Sequence, residues 1–202
     1  MTTSVTSTAA LRSFVPPDPP KTPKSIGTRQ RLLDLAAELF VAHGYEAVSM
    51  RDIASAAKLT KGAVYGHFRS KGQLLVEVIR WRLVASDRAT DYVAVSISLE
   101  RGAELIHDAR NRDTRLLEVD AAAAARHDPD VAAGLADLYL ERHARICDAM
   151  SDAPDPDVAA WVVSALTAGI GMKESSRLPV PDADRLTTVL TAVLRALTET
   201  GS

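Results

Sequence analysis

The chain has little of what several protein classes depend on. Its 202 residues include one cysteine, Cys147, which excludes a disulfide scaffold and a zinc site built from cysteines. Aromatic residues make up 4% of it, so a ligand pocket should be aliphatic and alanine-rich. The longest uncharged, mostly apolar run, Val158 to Met172, has 15 residues, short of the roughly 20 that span a bilayer. It reads as a buried helix. No cationic start followed by an apolar core opens the chain, so a cytoplasmic location away from membranes is expected. Charge of either sign is nearly cancelled, with 24 Lys and Arg against 26 Asp and Glu, a net of −2. That total argues against a generic polyanion binder. The 47% of apolar residues suffices for a core and excludes wholesale disorder.

The balance is uneven along the chain. Residues 1–27 hold three basic and one acidic side chain, residues 28–83 hold nine and five, and residues 84–202 hold twelve and twenty. The nets are +2, +4 and −8, which restore −2. A basic front on an acidic back prompts the reading of a polyanion-binding head on a body with another task. Residues 1–27, rich in Thr, Ser and Pro, read as a disordered tail. Lys21 and Lys24 near its end are either solvated linker charges or phosphate contacts.

From Thr28 onward the pattern is helical. Leu32, Leu35, Ala36, Leu39 and Phe40 recur at helical spacing, with Thr28 placed to cap the helix and Gly44 to end it. Ser49 and Asp52 form a capping box for a second, short helix whose inner face is Ile53, Ala54 and Ala57. Lys58 and Leu59 make the turn, Thr60 caps a third helix through about Phe68, and Ser70 to Gln73 opens a fourth. Two short helices on a tight turn are a helix-turn-helix unit. Beyond it, helices are predicted over about 71–90, 99–109, 112–126, 129–149, 156–173 and 182–199, broken at Pro129, Pro154 to Pro156 and Pro179 to Pro181. The fold class is all-α: a helix-turn-helix head over 28–72 and a helical body over 73–202.

The third helix carries the sharpest signal. On a wheel of about 100° per residue, Val64 and Phe68 fall together as the buried side, and Gly62 and Gly66 fall about 160° away. A glycine in an exposed helix costs about 1 kcal/mol relative to alanine, so two in eight residues need a reason. Close approach of the backbone to another surface is one. Lys61 and Tyr65 flank the glycines on one side, Ala63 and His67 on the other. In a major groove, Lys61 would donate to guanine, Ala63 would touch a thymine methyl, and Tyr65 and His67 would donate to phosphates. Lys71, at the start of the fourth helix, would add a phosphate contact. With the two helix-start threonines, the candidates for DNA contact are Thr28, Thr60, Lys61, Gly62, Ala63, Tyr65, Gly66, His67 and Lys71.

Residues Asp52 to Lys71, with Ala36 to Tyr45 before them, resemble the DNA-binding segment of the TetR family of transcriptional regulators. The likeness covers about residues 28–75. It implies a homodimer, repression through a palindromic DNA site, and release when a small molecule enters the body. The sequence departs from the family pattern at Lys58, where a turn glycine is usual, so that this lysine is expected in the left-handed region. It departs again at Gly66, where an aromatic residue or His is common.

In the body, Leu186, Val189, Leu190, Val193, Leu194 and Leu197 form an apolar stripe. Val158, Trp161, Val162, Ala165 and Gly169 mark the helix before it. Such stripes also suit an intramolecular core. The resemblance places them in a dimer interface, with Val158, Trp161, Val162, Ala165, Gly169, Leu186, Leu190, Val193 and Leu194 as contacts. An apolar effector is expected among the helices from 71 to 149, with Trp81, Tyr92, Leu105, His107, Leu116, Leu117, Tyr139 and His143 as candidate lining. Enzyme motifs fail. Glu104-x-x-His107 is one copy where a dimetal bundle needs two with further glutamates, and Asp128-Pro129-Asp130 and Asp155-Pro156-Asp157 read as helix caps. No phosphate-binding, nucleotide-binding or nucleophile-elbow motif is present. No catalysis, cofactor or metal is therefore expected. The alternative is a helical ligand- or metal-binding enzyme whose helix-turn-helix is only structural.

Overall fold

The computed structural model describes residues 23–90 and 106–198. Every regular element among them is a helix. In chain order these are α1 (Pro23–His43), α2 (Met50–Ala57), α3 (Lys61–Tyr65), α4 (Lys71–Thr90), α5 (Ala109–Ala124), α6 (Pro129–Ala149), α7 (Pro156–Ser175) and α8 (Ala183–Thr198). The tail up to residue 22 and most of the helix expected over 99–109 lie outside the described residues. Among the described residues no helix is long and apolar enough to cross a membrane.

Three boundaries differ from expectation by three residues or more. Helix α1 starts at Pro23, so Thr28 lies inside the helix and does not cap it. Proline suits a first helical position because the amide it lacks would have no partner there. Helix α3 ends at Tyr65, although Phe68 still donates its amide to the carbonyl of Val64 at 3.0 Å. Helix α5 starts at Ala109, ahead of 112, because Asp108 caps it through the amide of Asn111 at 2.9 Å. The prolines at 129 and 156 sit in first turns, capped by Asp128 and Asp155.

One apolar cluster runs from head to body. It joins Leu32, Phe40, Ile53, Val64 and Phe68 of the head to Leu75 and Ile79 of α4, and these to Leu117, Val131 and Leu135 of the body. Helix α4 therefore leaves the head already buried against what the body supplies. A second cluster of Ile146, Met150, Ala153, Ala159, Ala160 and Val163 fills the corner between α6 and α7.

Candidate nucleic-acid interface

The head is assembled from local signals that close on one another. Gly44, at φ 80°, ends α1 and returns its amide to Phe40 at 2.8 Å, an αL cap that glycine adopts without steric cost. Ser49 accepts the amide of Asp52 at 3.2 Å, while Asp52 accepts that of Ser49 at 2.9 Å. This capping box holds the Asp52 carboxyl below its ordinary value, through the hydrogen bonds from Ser49. At the end of α2, Lys58 takes the left-handed conformation expected of it, φ 56°. Leu59 donates to Ala54 at 2.9 Å and Lys58 to Ser55 at 3.0 Å, the two bonds of a Schellman turn. Thr60 then caps α3 by accepting the amide of Ala63 at 3.1 Å.

Over α3 and the turn after it, Val64 and Phe68 are wholly buried, and Lys61, Gly62, Ala63, Tyr65 and Gly66 are exposed. A methyl group added at Gly62 would meet only the Thr60 hydroxyl, at 4.0 Å. Gly66 has an ordinary right-handed backbone, φ −67°. Neither the conformation nor the protein's own packing therefore demands a glycine at 62, whereas a Cβ at Gly66 would press on the Ala63 carbonyl oxygen at 3.3 Å. The Lys61 ammonium lies 5.5 Å from the centre of the Tyr65 ring, a cation–π contact that keeps both groups along the same edge of the face.

Arg29 fixes this face to its support. It donates to the His67 carbonyl at 3.1 Å, pairs with Glu77 at 2.8 Å, and stacks over the Phe68 ring at 4.4 Å. One guanidinium thus ties α1, the end of α3 and α4. His67 is half-buried, and its imidazole is held below the ordinary value by burial first and by the charge of Arg29 second. Lys71 does not project freely. Its ammonium donates to the Tyr45 carbonyl at 2.9 Å and sits 4.0 Å over the Tyr45 ring. Thr28 lies on α1, half-buried.

The head meets the body at a polar joint that the sequence reading missed. The Tyr45 amide donates to Asp120 at 3.1 Å, the Tyr45 hydroxyl to Asp128 at 3.3 Å, and Ser70 to Asp130 at 2.7 Å. Gly72 lets α4 approach the start of α6, since a Cβ there would fall 2.7 Å from both Asp128 Oδ2 and Val131 Cγ2.

Residues 32–78 match the family model described as bacterial regulatory proteins of the tetR family. This segment is a TetR-family DNA-binding domain. The chain is 45% identical over 64 residues to the HTH-type transcriptional repressor KstR2 of Mycolicibacterium smegmatis, a match covering 32% of this chain and 30% of the repressor. The chain spans about a third of the length of such curated relatives. Over the whole fold, a putative TetR-family transcriptional regulator from Rhodococcus sp. superposes with a TM-score of 0.68 at 18% identity, covering 85% of this chain and 98% of that one. Salmonella enterica GusR does so with a TM-score of 0.65 at 24% identity, covering 90% and 100%. These likenesses establish the TetR regulator fold. The relatives are transcription regulators, which gives the enzyme alternative no support.

The body places the remaining candidates apart. Leu117 is core, Leu116 is half-buried, and Trp81 donates its indole N–H to Asp34 of α1 at 3.2 Å. Tyr139 is largely exposed, and His143 pairs with Asp157 at 2.8 Å. His107 lines an open cleft of about 340 Å³ with Ile106, Arg112, Glu174, Arg177, Leu178, Pro179 and Val180. Tyr92 and Leu105 lie outside the described residues. The described candidates do not converge on one cavity, and the cleft is more charged than an aliphatic pocket would be. Beside it, Arg115 grips Glu174 through two bonds of 2.8 and 2.7 Å, both side chains buried. Glu118, buried 3.2 Å from Arg142, has its carboxyl pushed up by burial against the pull of Arg142 and Arg115.

The stripe residues are split. Trp161 is 67% exposed and Val158 52%, with Ala165 exposed and Val162 and Gly169 half-buried. On α8, Leu186, Leu190 and Val193 are half-buried and Val189 is exposed; the Leu194 side chain lies outside the described residues. Within one protomer α7 and α8 leave apolar surface uncovered.

Proposed function

We propose that this protein is a homodimeric transcription regulator of the cytoplasm, a repressor that binds a palindromic operator and is released by a small molecule. The observation that carries the reading is the outer face of α3. Gly62, which the fold does not need, and Gly66 are set between Lys61 and Tyr65 on one side and Ala63 and His67 on the other. A smooth backbone flanked by donors suits insertion into a major groove, where base edges are read by close contact. The same face fits no solvated helix, which would carry charged residues in place of the glycines. The uncovered apolar surface of α7 and α8 supports the dimer, and a two-fold axis would set a pair of α3 helices at half-sites about one helical turn apart or more. The head over 28–72 reads DNA and the body over 73–202 carries the dimer and the effector.

Binding of the purified protein to DNA from upstream of its own gene tests the reading, with anisotropy as the signal. Tyr65→Ala should weaken binding to all sequences alike, and Lys61→Ala should relax preference at particular base pairs. Lys71→Ala should weaken binding through loss of its grip on the Tyr45 carbonyl. Unchanged affinity in all three would overturn the reading. A metabolite screen by thermal shift, repeated with bound DNA, reports the effector as a ligand whose stabilisation is opposed by DNA.

A further inference from the structure

At the corner between α6 and α7, three metal-ligating side chains of different chemistry meet. His143 and Cys147 are four residues apart on α6 and therefore share one face of that helix. Asp157 stands in the first turn of α7. One donor atom from each lies within 4.8 Å of the other two, and His143 Nε2 is 2.8 Å from Asp157 Oδ1. Cys147 points its Sγ across the corner toward the Pro156 carbonyl, 3.6 Å away. The backbone beneath is fixed independently. Asp155 caps α7 through the amide of Val158 at 3.1 Å, and Ile146, Met150, Ala159 and Ala160 are buried under the corner. His143 and Asp157 are thus brought together by packing they take no part in, and Cys147 rests against the edge of that cluster.

We propose that His143, Cys147 and Asp157 bind a divalent transition-metal ion of the zinc class, with the remaining coordination position open to water. One nitrogen, one thiolate and one carboxylate select a borderline ion over calcium or magnesium, which take oxygen donors. Bonds of about 2.0–2.3 Å set the ligand atoms of a tetrahedral ion roughly 3.3–3.8 Å apart. Against that figure the 2.8 Å contact of His143 with Asp157 must open slightly, which the exposed Asp157 side chain has room to do, and all three donor atoms already lie within 4.8 Å. The single cysteine excludes a site built from cysteines, but a mixed set needs only one. The expectation of no metal was drawn from linear motifs, and here the third ligand comes from the next helix. Occupancy would clamp α6 to α7 one turn from Trp161, on the helix that carries the uncovered apolar stripe. The site stands on its own residues and does not depend on the DNA reading.

The test uses the full chain, stripped with chelator and kept reduced, titrated with Zn²⁺ against a chromophoric competitor and separately with Co²⁺ followed by absorbance. The expected result is one ion per chain and a near-ultraviolet thiolate-to-cobalt band. Cys147→Ser should abolish that band. His143→Ala and Asp157→Asn should each weaken Zn²⁺ by roughly tenfold or more, the scale on which metal sites respond to altered ligation. Asp157 is exposed and the capping Asp155 is left in place, so Asp157→Asn keeps its fold, which circular dichroism checks. No stoichiometric binding by the parent chain, or Zn²⁺ affinity undiminished in Cys147→Ser and Asp157→Asn, would overturn the site.

Discussion

Gly62 sits where an exposed helix would gain from any side chain, and the only atom near its missing Cβ is a hydroxyl at 4.0 Å. Gly62→Ala should therefore stabilise the protomer by about 0.5–1 kcal/mol in urea unfolding, while weakening DNA binding because the methyl holds the backbone off the bases. A stabilised variant with undiminished affinity would detach the glycine from recognition. His67 gives a second residue-scale prediction. The fold lowers its imidazole value by burial and by Arg29, whereas the unfolded chain protonates near the usual value of about 6.5. As pH falls from there, the unfolded state takes up protons first and stability is lost. The melting temperature of the parent should fall more steeply between about pH 7 and pH 5 than that of His67→Gln. At this scale the sequence was informative where partners are neighbours. The caps at Ser49 and Thr60 and the left-handed Lys58 rest on hydrogen bonds spanning a few residues. Arg29 escaped notice because its partners His67 and Glu77 are 38 and 48 residues away, and periodicity carries no information about polar pairs at that separation.

Helix α4 is the element shared by head and body, and the glycine in its first turn lets it serve both. Gly72→Ala would drive a methyl to 2.7 Å from Asp128 Oδ2 and from Val131 Cγ2. Val131 is fully buried and cannot swing aside, so the helices must separate. The expected cost is about 1–3 kcal/mol in chemical unfolding, the range for overpacking a tight contact. A neutral effect would mean that α4 does not need this approach. The elements themselves were legible to within a few residues, because prolines at 129 and 156 and capping aspartates before them punctuate the helical runs. The start of α1 was misplaced by five residues, since Ser25 to Gly27 lack the apolar period that marked Thr28 onward. The seating of α4 on α6 was invisible in either run alone.

Across the whole molecule, the buried Arg115–Glu174 pair joins α5 to α7 through the body. Glu174→Gln leaves the charge of a buried guanidinium without its partner and should destabilise by about 3–5 kcal/mol in urea unfolding, whereas Arg115→Met with Glu174→Leu should recover most of the loss. Equal destabilisation by the single and double variants would show that shape, and not charge, is at stake. The wider charge pattern bears on the proposed function. Residues 28–83 carry a net of +4 and the rest of the body −8, so under the proposed function DNA would be drawn to the head and repelled from the body. The exposed face of α3 was legible because its glycines break a local rule. The candidate effector lining did not come together, because its members were chosen by residue type and the fold scatters the described ones over core, surface and helix joints.

The most direct measurement is the salt dependence of binding between the full chain and tiled fragments of its own upstream DNA, set against unrelated DNA of equal length. Neutralisation of several phosphates by the head predicts that the logarithm of affinity falls linearly and steeply with the logarithm of salt concentration, with one upstream tile bound on the order of 10³-fold or more above unrelated DNA. Lys61→Ala should narrow that preference. A flat salt response, or equal affinity for every tile and for unrelated DNA, would contradict the assignment of α3 as a reading helix.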